Sequence, residues 1–418
     1  MRTRLVVTGR PAAGGPRPRR EVFGRILGVV TELYLDHAAT TVPRPEARAA
    51  LSRWLEPADE PIGNPSSTHH AGQRARVAVE EAREAIALAL GAHPQDVVFT
   101  SGGTEADNLA IKGFAWAGAE RGRRHLVTTA VEHPAVLEPA RWLAAHQGFE
   151  LTVVGVDSDG RVDVEHVLDA VRGDTAVVSV MAANNELGAV NDLPTLGVAL
   201  RERGVPFHTD AVQAFATRDV DADAWHVDAL SLSAHKFGGP VGTGVAVLRR
   251  GVPVVPLTHG GQQDRGVRSG TLAAALDASC AAAVVAASSD RDRLHERLSA
   301  LSDRLTEGLE AVDGVRRNGP TAPRHRLASH VHVSIDGVDG EALTFALDRA
   351  GLAVSAGAAC GAGAQKASHV LEAAGIGGDA AVRFSLGWTS TLAEVEGAVG
   401  VFSEVVAELR AAGGGAVA

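Results

Sequence analysis

The order of predicted strands and helices is the strongest constraint on the fold of this chain. Five short runs rich in β-branched residues are separated by helix-like stretches such as EHVLDAVRG and LPTLGVALRERG. The runs are HLVTTAV (125–131), LTVVGV (151–156), AVVSVM (176–181), VPFHTDA (205–211) and VDALSLSA (227–234). Because strands that alternate with helices usually run parallel, this order predicts an α/β fold with a mostly parallel sheet and helices on both faces.

The pattern changes after about residue 290. A long amphipathic stretch, RDRLHERLSALSDRLTEGLEAV, is followed by the strand-like HVHVSI, a helical stretch from Glu341 and a final helical stretch from Leu392. We therefore predict a large domain over residues 44–290 and a smaller α+β domain over residues 31–43 and 291–410.

The two ends of the chain differ from the rest. The first 30 residues are rich in Arg, Pro and Gly, and they lack the continuous apolar segment of a secretory signal. We predict that residues 1–30 are a disordered extension that the enzyme does not need, although a basic arm for an anionic partner or a targeting peptide is the alternative. Residues 411–418 are predicted to be a flexible tail.

Composition excludes several classes of protein. The 418 residues carry a net charge of -10, which argues against nucleic-acid binding, and no apolar run approaches the length of a membrane span. The two cysteines cannot build a disulfide framework or a zinc site, so we expect no metal and a reducing compartment. The sequence thus predicts a soluble enzyme of the cytoplasm.

In an open α/β sheet, ligands bind outside the carboxyl ends of the strands. One such end runs through Ser101, Gly102, Gly103 and Thr104 into a helix, where free backbone N–H groups and the helix dipole favour an anion. This turn suggests a phosphate site, but strand-to-helix turns contain glycine for structural reasons as well.

Two further strand ends carry reactive groups. Asp210 directly follows an apolar strand, and Gln213 lies three residues further on. A carboxylate at such a position could serve as a metal ligand, as a helix cap or as the partner of a protonated ring nitrogen. Ser233, His235 and Lys236 end the next strand, and only three of the 40 basic residues are lysines. A lysine amine forms a Schiff base with an aldehyde, although a surface lysine is the simpler interpretation.

Phosphate site, aspartate and lysine together suggest pyridoxal 5'-phosphate, which needs an anchor for its phosphate, a partner for its ring nitrogen and an amine for its aldehyde. His133, in TAVEHPAV at another strand end, is placed to stack on a planar ring. Taken alone, this histidine would more simply be structural.

An ordered set of motifs resembles the cysteine desulfurases of the NifS/IscS type, a branch of the class V aminotransferase superfamily. The resemblance covers roughly residues 33 to 405. Its motifs, in order, are YLDHAATT, NPSSTHHAG, FTSGGTEADNLAIKG, EHPAV, MAANNELG, HTDAVQ, SLSAHKFGGP, HGGQQDRGVRSGT, SAGAAC, SHVLEAAG and VRFSLG. The resemblance implies a fold-type I pyridoxal-phosphate transferase, with a seven-stranded sheet in the large domain, that works as a homodimer.

The resemblance also implies the roles of individual residues. Lys236 would hold the cofactor covalently, His133 would stack on its ring and Asp210 would pair its ring nitrogen. Gln213 and Asn185 would reach the side of the ring that faces the substrate. The phosphate would be held by Gly103, Thr104, Ser233, His235 and, from the partner subunit, Thr271. Arg383 would clamp the substrate carboxylate, a task that suits a bidentate guanidinium.

Cys360, in the stretch SAGAACGAGAQKASHV, matches the family's nucleophile. It would take the sulfur of L-cysteine as a persulfide, leave alanine, and pass the sulfur to an acceptor protein. Lys366 and His369 are candidate modulators of its thiol. A small hydrophobic residue is the alternative for Cys360, whereas the alanine-rich surroundings of Cys280 predict a core residue.

The chain departs from the family pattern near Cys360. Gly357-Ala358 stands where the family usually has Gly-Ser, and Lys366-Ala367 stands where it usually has Glu-Pro. GPVG replaces the commoner Gly-Pro-Lys-Gly. These changes bear on the sulfur acceptor and on the turnover rate more than on the cofactor chemistry.

Two other functions compete with this prediction. Another pyridoxal enzyme of the same fold, such as a selenocysteine lyase or a cysteine sulfinate desulfinase, would keep Lys236 without needing Cys360. A non-catalytic docking platform would not need Lys236, Asp210 and Arg383, which are all present. The acceptor stays open between an iron–sulfur scaffold, tRNA, DNA and a biosynthetic pathway.

Overall fold

The computed structural model describes residues 33–55, 63–356 and 368–414. The strands, numbered in chain order, are β1 Leu33–Tyr34, β2 Val97–Thr100, β3 His125–Thr129, β4 Glu150–Val154, β5 Thr175–Ser179, β6 Phe207–Asp210, β7 Ala229–Ser233, β8 Gly244–Leu248, β9 Val315–Asn318, β10 His330–Ile335, β11 Leu352–Ala353, β12 Ser355–Ala356 and β13 Ala380–Ser385. The helices are α1 Pro45–Leu55, α2 His70–Ala89, α3 Gly103–Ala119, α4 Pro134–Gln147, α5 Val164–Ala170, α6 Leu193–Glu202, α7 Ala274–Glu310, α8 Gly340–Arg349, α9 His369–Ala373 and α10 Leu392–Gly414.

A seven-stranded sheet forms the larger layer, in the order β2-β8-β7-β6-β5-β3-β4. Strands β3 to β7 pair in parallel, and β8 runs antiparallel to both of its neighbours, β2 and β7. The predicted α/β fold with a mostly parallel seven-stranded sheet is therefore confirmed.

Both faces of this sheet are covered by helices. Successive residues of a strand point to opposite faces, and in β5 Val177 belongs to the same hydrophobic cluster as Leu109 of α3, while Val178 belongs to a different cluster that includes Leu196 of α6. The central strands are buried along their whole length, which explains why they read as continuous apolar runs rather than alternating ones.

A second, antiparallel sheet has the order β12-β13-β10-β9 and its own hydrophobic cluster, which includes Val333, Phe384 and Phe402. Helix α7 contributes to both cores, with Cys280 in the cluster of the large sheet and Leu305 in that of the small sheet. The predicted domain boundary at residue 290 falls inside this helix, and the division into two domains stays a prediction.

Two features differ from the expected pattern. Helix α7 begins at Ala274, well before the amphipathic stretch that predicted it, and β8 was not recognised as a strand. In the described ranges, no helix combines the length and the hydropathy that a membrane span requires.

Gly197 in α6 lies against the backbone of Trp225, so that a Cβ at this position would stand 1.9 Å from the Trp225 carbonyl oxygen. We expect Gly197→Ala to lower the free energy of unfolding by about 1–3 kcal/mol, because backbone atoms cannot move aside as a side chain does. Gly400 in α10 is the matched control, since a Cβ there meets no atom within 4 Å.

Gly400→Ala should raise the free energy of unfolding by about 0.5–1 kcal/mol through helix propensity. Chemical denaturation of the two variants beside the unmodified protein measures both values. A loss of stability in Gly400→Ala equal to that in Gly197→Ala would contradict the steric explanation.

Candidate active site

The carboxyl ends of the strands bring most of the predicted site residues to one edge of the large sheet. Asp210 ends β6, Ser233 ends β7, and His133 follows β3 as the N-cap of α4. The start of α3 lies beside β7, because a Cβ on Gly103 would stand 3.4 Å from the Ser233 Cβ. The sheet topology thus gathers residues that are far apart in sequence.

Asp210 is a buried carboxyl group, with 5% of its surface exposed. Its Oδ1 accepts a hydrogen bond from the Val212 amide at 2.8 Å. Burial and, to a smaller extent, the neighbouring Asp107 raise the pKa of Asp210 to about 7, and His133 opposes this shift. Such a group favours a cationic partner, which would return its pKa toward the ordinary range.

A buried polar cluster that the sequence analysis missed lies behind Asp210. His208 Nε2 stands 3.5 Å from Asp107 Oδ1, and the His208 ring bonds the hydroxyls of Ser179 and Ser231 at 2.8 and 3.0 Å. Burial lowers the pKa of His208 to about 4 and raises that of Asp107 to about 7. The histidine is therefore neutral at pH 7.

Glu132, beside His133, is the third buried acid of this region. Its Oε1 accepts hydrogen bonds from the Thr129 hydroxyl and the Met181 amide, both at 2.8 Å. Burial raises its pKa to about 8, so the group is largely protonated near neutral pH. The sequence signal for this cluster is the presence of acids in apolar surroundings, in helix α3 for Asp107 and just after β3 for Glu132, which the search for strand-end residues did not weigh.

Lys236 lies in a short 3-10 turn directly after β7. Its Nζ donates to the carbonyl oxygens of Ala38 and Ala39, at 2.6 and 3.0 Å, and Gln213 Nε2 donates to the Ala38 oxygen at 2.9 Å. The backbone of the YLDHAATT motif therefore contacts both polar side chains. The sequence analysis used this motif only for the resemblance and assigned no role to its residues.

The two histidines that flank this lysine are held in different ways. His133 Nδ1 accepts the Ala135 amide at 3.1 Å, and burial lowers the pKa of its ring while Asp210 raises it. The Nδ1 of His235 lies 3.2 Å from the Thr40 hydroxyl, and burial together with Lys236 lowers the His235 pKa to about 4.

The predicted phosphate site is an uncapped helix start. Helix α3 has Gly102 as its N-cap, with φ of 153°, and no side chain caps its first turn. A Cβ on Gly103 would stand 3.0 Å from Val212 Cγ2, so a larger residue would fill the space beside the helix start. Ser233 is buried and Thr104 is exposed. The Ser101 amide already donates to Glu105 Oε2 at 2.6 Å, so the amides of Gly103 and Thr104 in the first turn are the ones available to an anion.

Arg383 lies on β13 of the small sheet, yet it contacts the loop after β5 of the large sheet. Its Nη1 donates to the Asn185 carbonyl oxygen at 2.9 Å, and its Nη2 donates to Asp36 Oδ1 at 2.7 Å. Asp36 is a site residue that the sequence analysis missed. The two buried histidines beside Arg383, His330 and His332, are neutral, because burial first and Arg383 second lower their pKa values to about 3.

Four predicted residues remain, and the geometry joins only His369 to this region. Cys360 and Lys366 lie outside the described residues. Thr271 is exposed, and no hydrogen bond in the described part of the chain links it to the other candidates. His369 Nε2 bonds the Glu132 carbonyl oxygen at 3.0 Å.

Cys280 is confirmed as a core residue. It is fully buried in α7, and burial raises the pKa of its thiol to about 12, with a further contribution from Asp277.

Comparison with known proteins agrees with this arrangement. The family model described as "Aminotransferase class-V" matches residues 33–397. An IscS-like cysteine desulfurase of Mycobacterium tuberculosis is 45% identical over 390 residues, which cover 91% of this chain and 97% of the relative. Cysteine desulfurase IscS of Dictyoglomus turgidum is 41% identical over 383 residues, covering 91% and 95% of the two chains.

Among solved structures, a NifS-like protein superposes with a TM-score of 0.84 at 32% identity and covers 91% of this chain and all of its own. The resemblance read from the motifs is confirmed: the chain belongs to the class V aminotransferase family, among the cysteine desulfurases of the NifS/IscS type.

Proposed function

We propose that this desulfurase binds pyridoxal 5'-phosphate at the carboxyl edge of its large sheet and converts L-cysteine to L-alanine, with Cys360 as the first sulfur acceptor. The observation that carries the proposal is the buried Asp210 carboxyl, whose pKa burial raises to about 7, on the same strand-end edge as Lys236. The overall step consumes one L-cysteine and one thiol and produces one L-alanine and one persulfide.

The residues present fit this cofactor. A protonated ring nitrogen would supply the positive charge that the Asp210 site favours, and the uncapped start of α3 offers amides to a phosphate group. The primary amine of Lys236 donates two hydrogen bonds directly to backbone carbonyl groups of the YLDHAATT motif. Ser233, Thr104 and His235 would complete the phosphate site, and His133 would cover one face of the ring.

When bound, pyridoxal phosphate supplies an aldehyde and an electron-accepting ring that stabilise charge at the substrate Cα. Lys236 then serves as the base that takes the Cα proton and as the donor that returns a proton later. His133 accepts the Ala135 amide at Nδ1, so its neutral ring carries the proton on Nε2, and the lowered pKa favours this neutral form.

Substrate binding is assigned to Arg383 and Asn185. Arg383 uses one N–H of Nη1 for Asn185 and one of Nη2 for Asp36, so its five-donor guanidinium retains donors for the substrate carboxylate. Sulfur transfer is assigned to Cys360: its thiolate attacks the substrate sulfur, an S–S bond forms, the substrate Cβ–S bond breaks and Cβ takes up a proton.

The finer parts of the proposal follow the family pattern. The enzyme acts as a homodimer in which Thr271 of one subunit completes the phosphate site of the other. An acceptor protein then removes the persulfide sulfur, and an iron–sulfur scaffold is one candidate for that acceptor. The reaction takes place in the cytoplasm, where a reducing environment keeps the thiol available.

Alanine formation from L-cysteine, with a reductant present, tests this function. Lys236→Ala should reduce the rate by at least about 100-fold, because general acid–base catalysis typically contributes that much. Lys112→Ala is the matched control: Lys112 stacks on Trp142 at 5.0 Å from the ring centroid, and its loss should leave the rate unchanged.

Cys360→Ala should retain the visible absorbance of the bound cofactor and form no alanine by persulfide transfer. Alanine from both the unmodified enzyme and this variant would instead indicate an elimination or lyase reaction that bypasses the thiol. Absence of alanine from the unmodified enzyme would point to another substrate.

Thiol reactivity provides a second test. Because burial raises the Cys280 pKa to about 12, Cys280 should react with a thiol reagent only after unfolding. The folded enzyme should show one fast-reacting thiol per chain, which Cys360→Ala removes and Cys280→Ala retains. A fast-reacting thiol in folded Cys360→Ala would contradict the assignment of Cys280 to the core.

A further inference from the structure

The ion pair between Asp36 and Arg383 lies at the centre of the proposed substrate site. Arg383 Nη2 and Asp36 Oδ1 are 2.7 Å apart, and the two side chains are 9% and 21% exposed. A pair this well shielded is screened less by solvent than an ordinary surface pair. Arg383 therefore has a resting counter-ion before any substrate arrives.

The remaining donors of Arg383 define where a substrate carboxylate is able to bind. Nη1 bonds a neutral acceptor, the Asn185 carbonyl oxygen, and Nε is buried without a partner among the described residues. Nη1 and Nη2 each keep a second N–H, because a guanidinium has five donors. A carboxylate that binds these groups shares the guanidinium with Asp36 and does not meet a free cation. The charge of Arg383 is thus divided between a fixed acid and the ligand.

Asp36 is held in place by its neighbours. The Leu35 oxygen accepts the Ser385 amide at 2.7 Å, the His37 amide donates to the Ser385 oxygen at 3.2 Å, and the Ala38 amide donates to Ser385 Oγ at 2.9 Å. Ser385 is two residues beyond Arg383 on β13, so the acid and the arginine are positioned by the same strand.

The wider surroundings of Arg383 hold a second acid. Glu186 is mostly buried, and burial raises its pKa while Ser368, His369 and Arg383 lower it. His330 and His332 are neutral at pH 7, because burial first and Arg383 second lower their pKa values, and Lys236 adds to the lowering at His330. Among the described residues, a second negative charge on a ligand would therefore find no spare positive charge beside Arg383.

We propose that Asp36 is a specificity-determining residue that neutralises Arg383 and thereby restricts the site to amino acids with a single acidic group. L-cysteine meets this condition. An amino acid whose side chain bears a second acid, such as cysteine sulfinate or aspartate, is disfavoured by repulsion from Asp36. This inference rests on the proposed function, because it takes Arg383 as the carboxylate site.

Isothermal titration of the holoenzyme with L-alanine and with L-aspartate tests the inference. Asp36→Asn keeps the size of the side chain and an acceptor for Arg383 but removes the charge. We expect its Kd for L-aspartate to fall about tenfold and its Kd for L-alanine only about threefold, because the repulsion removed scales with ligand charge. The ratio of the two constants is the decisive quantity.

Asp336→Asn is the matched control. Asp336 also forms an ion pair with an arginine, Arg316, in the small sheet, so this variant changes the net charge equally. Its two dissociation constants should equal those of the unmodified enzyme. An identical fall in this control would assign the effect to net charge and overturn the role of Asp36.

Arg383→Leu separates failure of the inference from failure of the proposed function. If Arg383→Leu abolishes binding of L-alanine while Asp36→Asn leaves the ratio unchanged, or weakens both ligands, then Asp36 only supports the arginine and the inference is wrong. If Arg383→Leu binds L-alanine as the unmodified enzyme does, the carboxylate site itself is wrongly assigned, and the inference falls with it.

Discussion

Backbone hydrogen bonds of the segment from Leu35 to Ala39 fix the position of the Arg383 side of the site relative to the Lys236 side. Arg383 belongs to the small antiparallel sheet and Lys236 to the large sheet, so neither sheet alone fixes their separation. The segment bonds the end of β13 through Leu35 and accepts the Lys236 amine through the carbonyl groups of Ala38 and Ala39. The segment contributes main-chain atoms to these contacts, so they depend on the path of its backbone more than on the identity of its side chains. The strands and helices around it determine that path.

Local sequence pattern was sufficient to predict the class of the fold, for a physical reason. The parallel strands are buried on both faces and therefore appear as short β-branched runs between amphipathic helices. Direction is not encoded in such a run, and the antiparallel β8 could be identified only from its pairing with β2 and β7. The alanine-rich surroundings of Cys280 were interpreted as helical, but their continuity with the later amphipathic stretch was not predicted, because the first turns pack within the large core and lack an obvious polar face.

The site divides into a part that sequence reasoning reached and a part that it did not. Asp210 and Lys236 were found because a general rule places ligands at strand ends, and because a lysine is unusual in a chain so rich in arginine. Asp36, Asp107 and Glu132 were missed because what distinguishes them is burial and partners, which arise from tertiary packing. An acid in an apolar neighbourhood was their only local signal. The Asp36–Arg383 contact joins residues 347 positions apart, and no periodicity in the sequence reports such a pairing.

Helix α7 runs without interruption for 37 residues, a length of about 55 Å, and its two halves belong to different hydrophobic clusters. This continuous helix is therefore shared by the two hydrophobic cores. A movement of the small sheet toward or away from the large sheet has to bend helix α7 or shift the small sheet along it. A single-residue hinge within the helix would break its backbone hydrogen bonds. The same continuity makes the two cores thermodynamically dependent on each other, since the loss of one removes half of the surface that keeps the shared helix folded. The shared helix thus couples the unfolding of one core to that of the other.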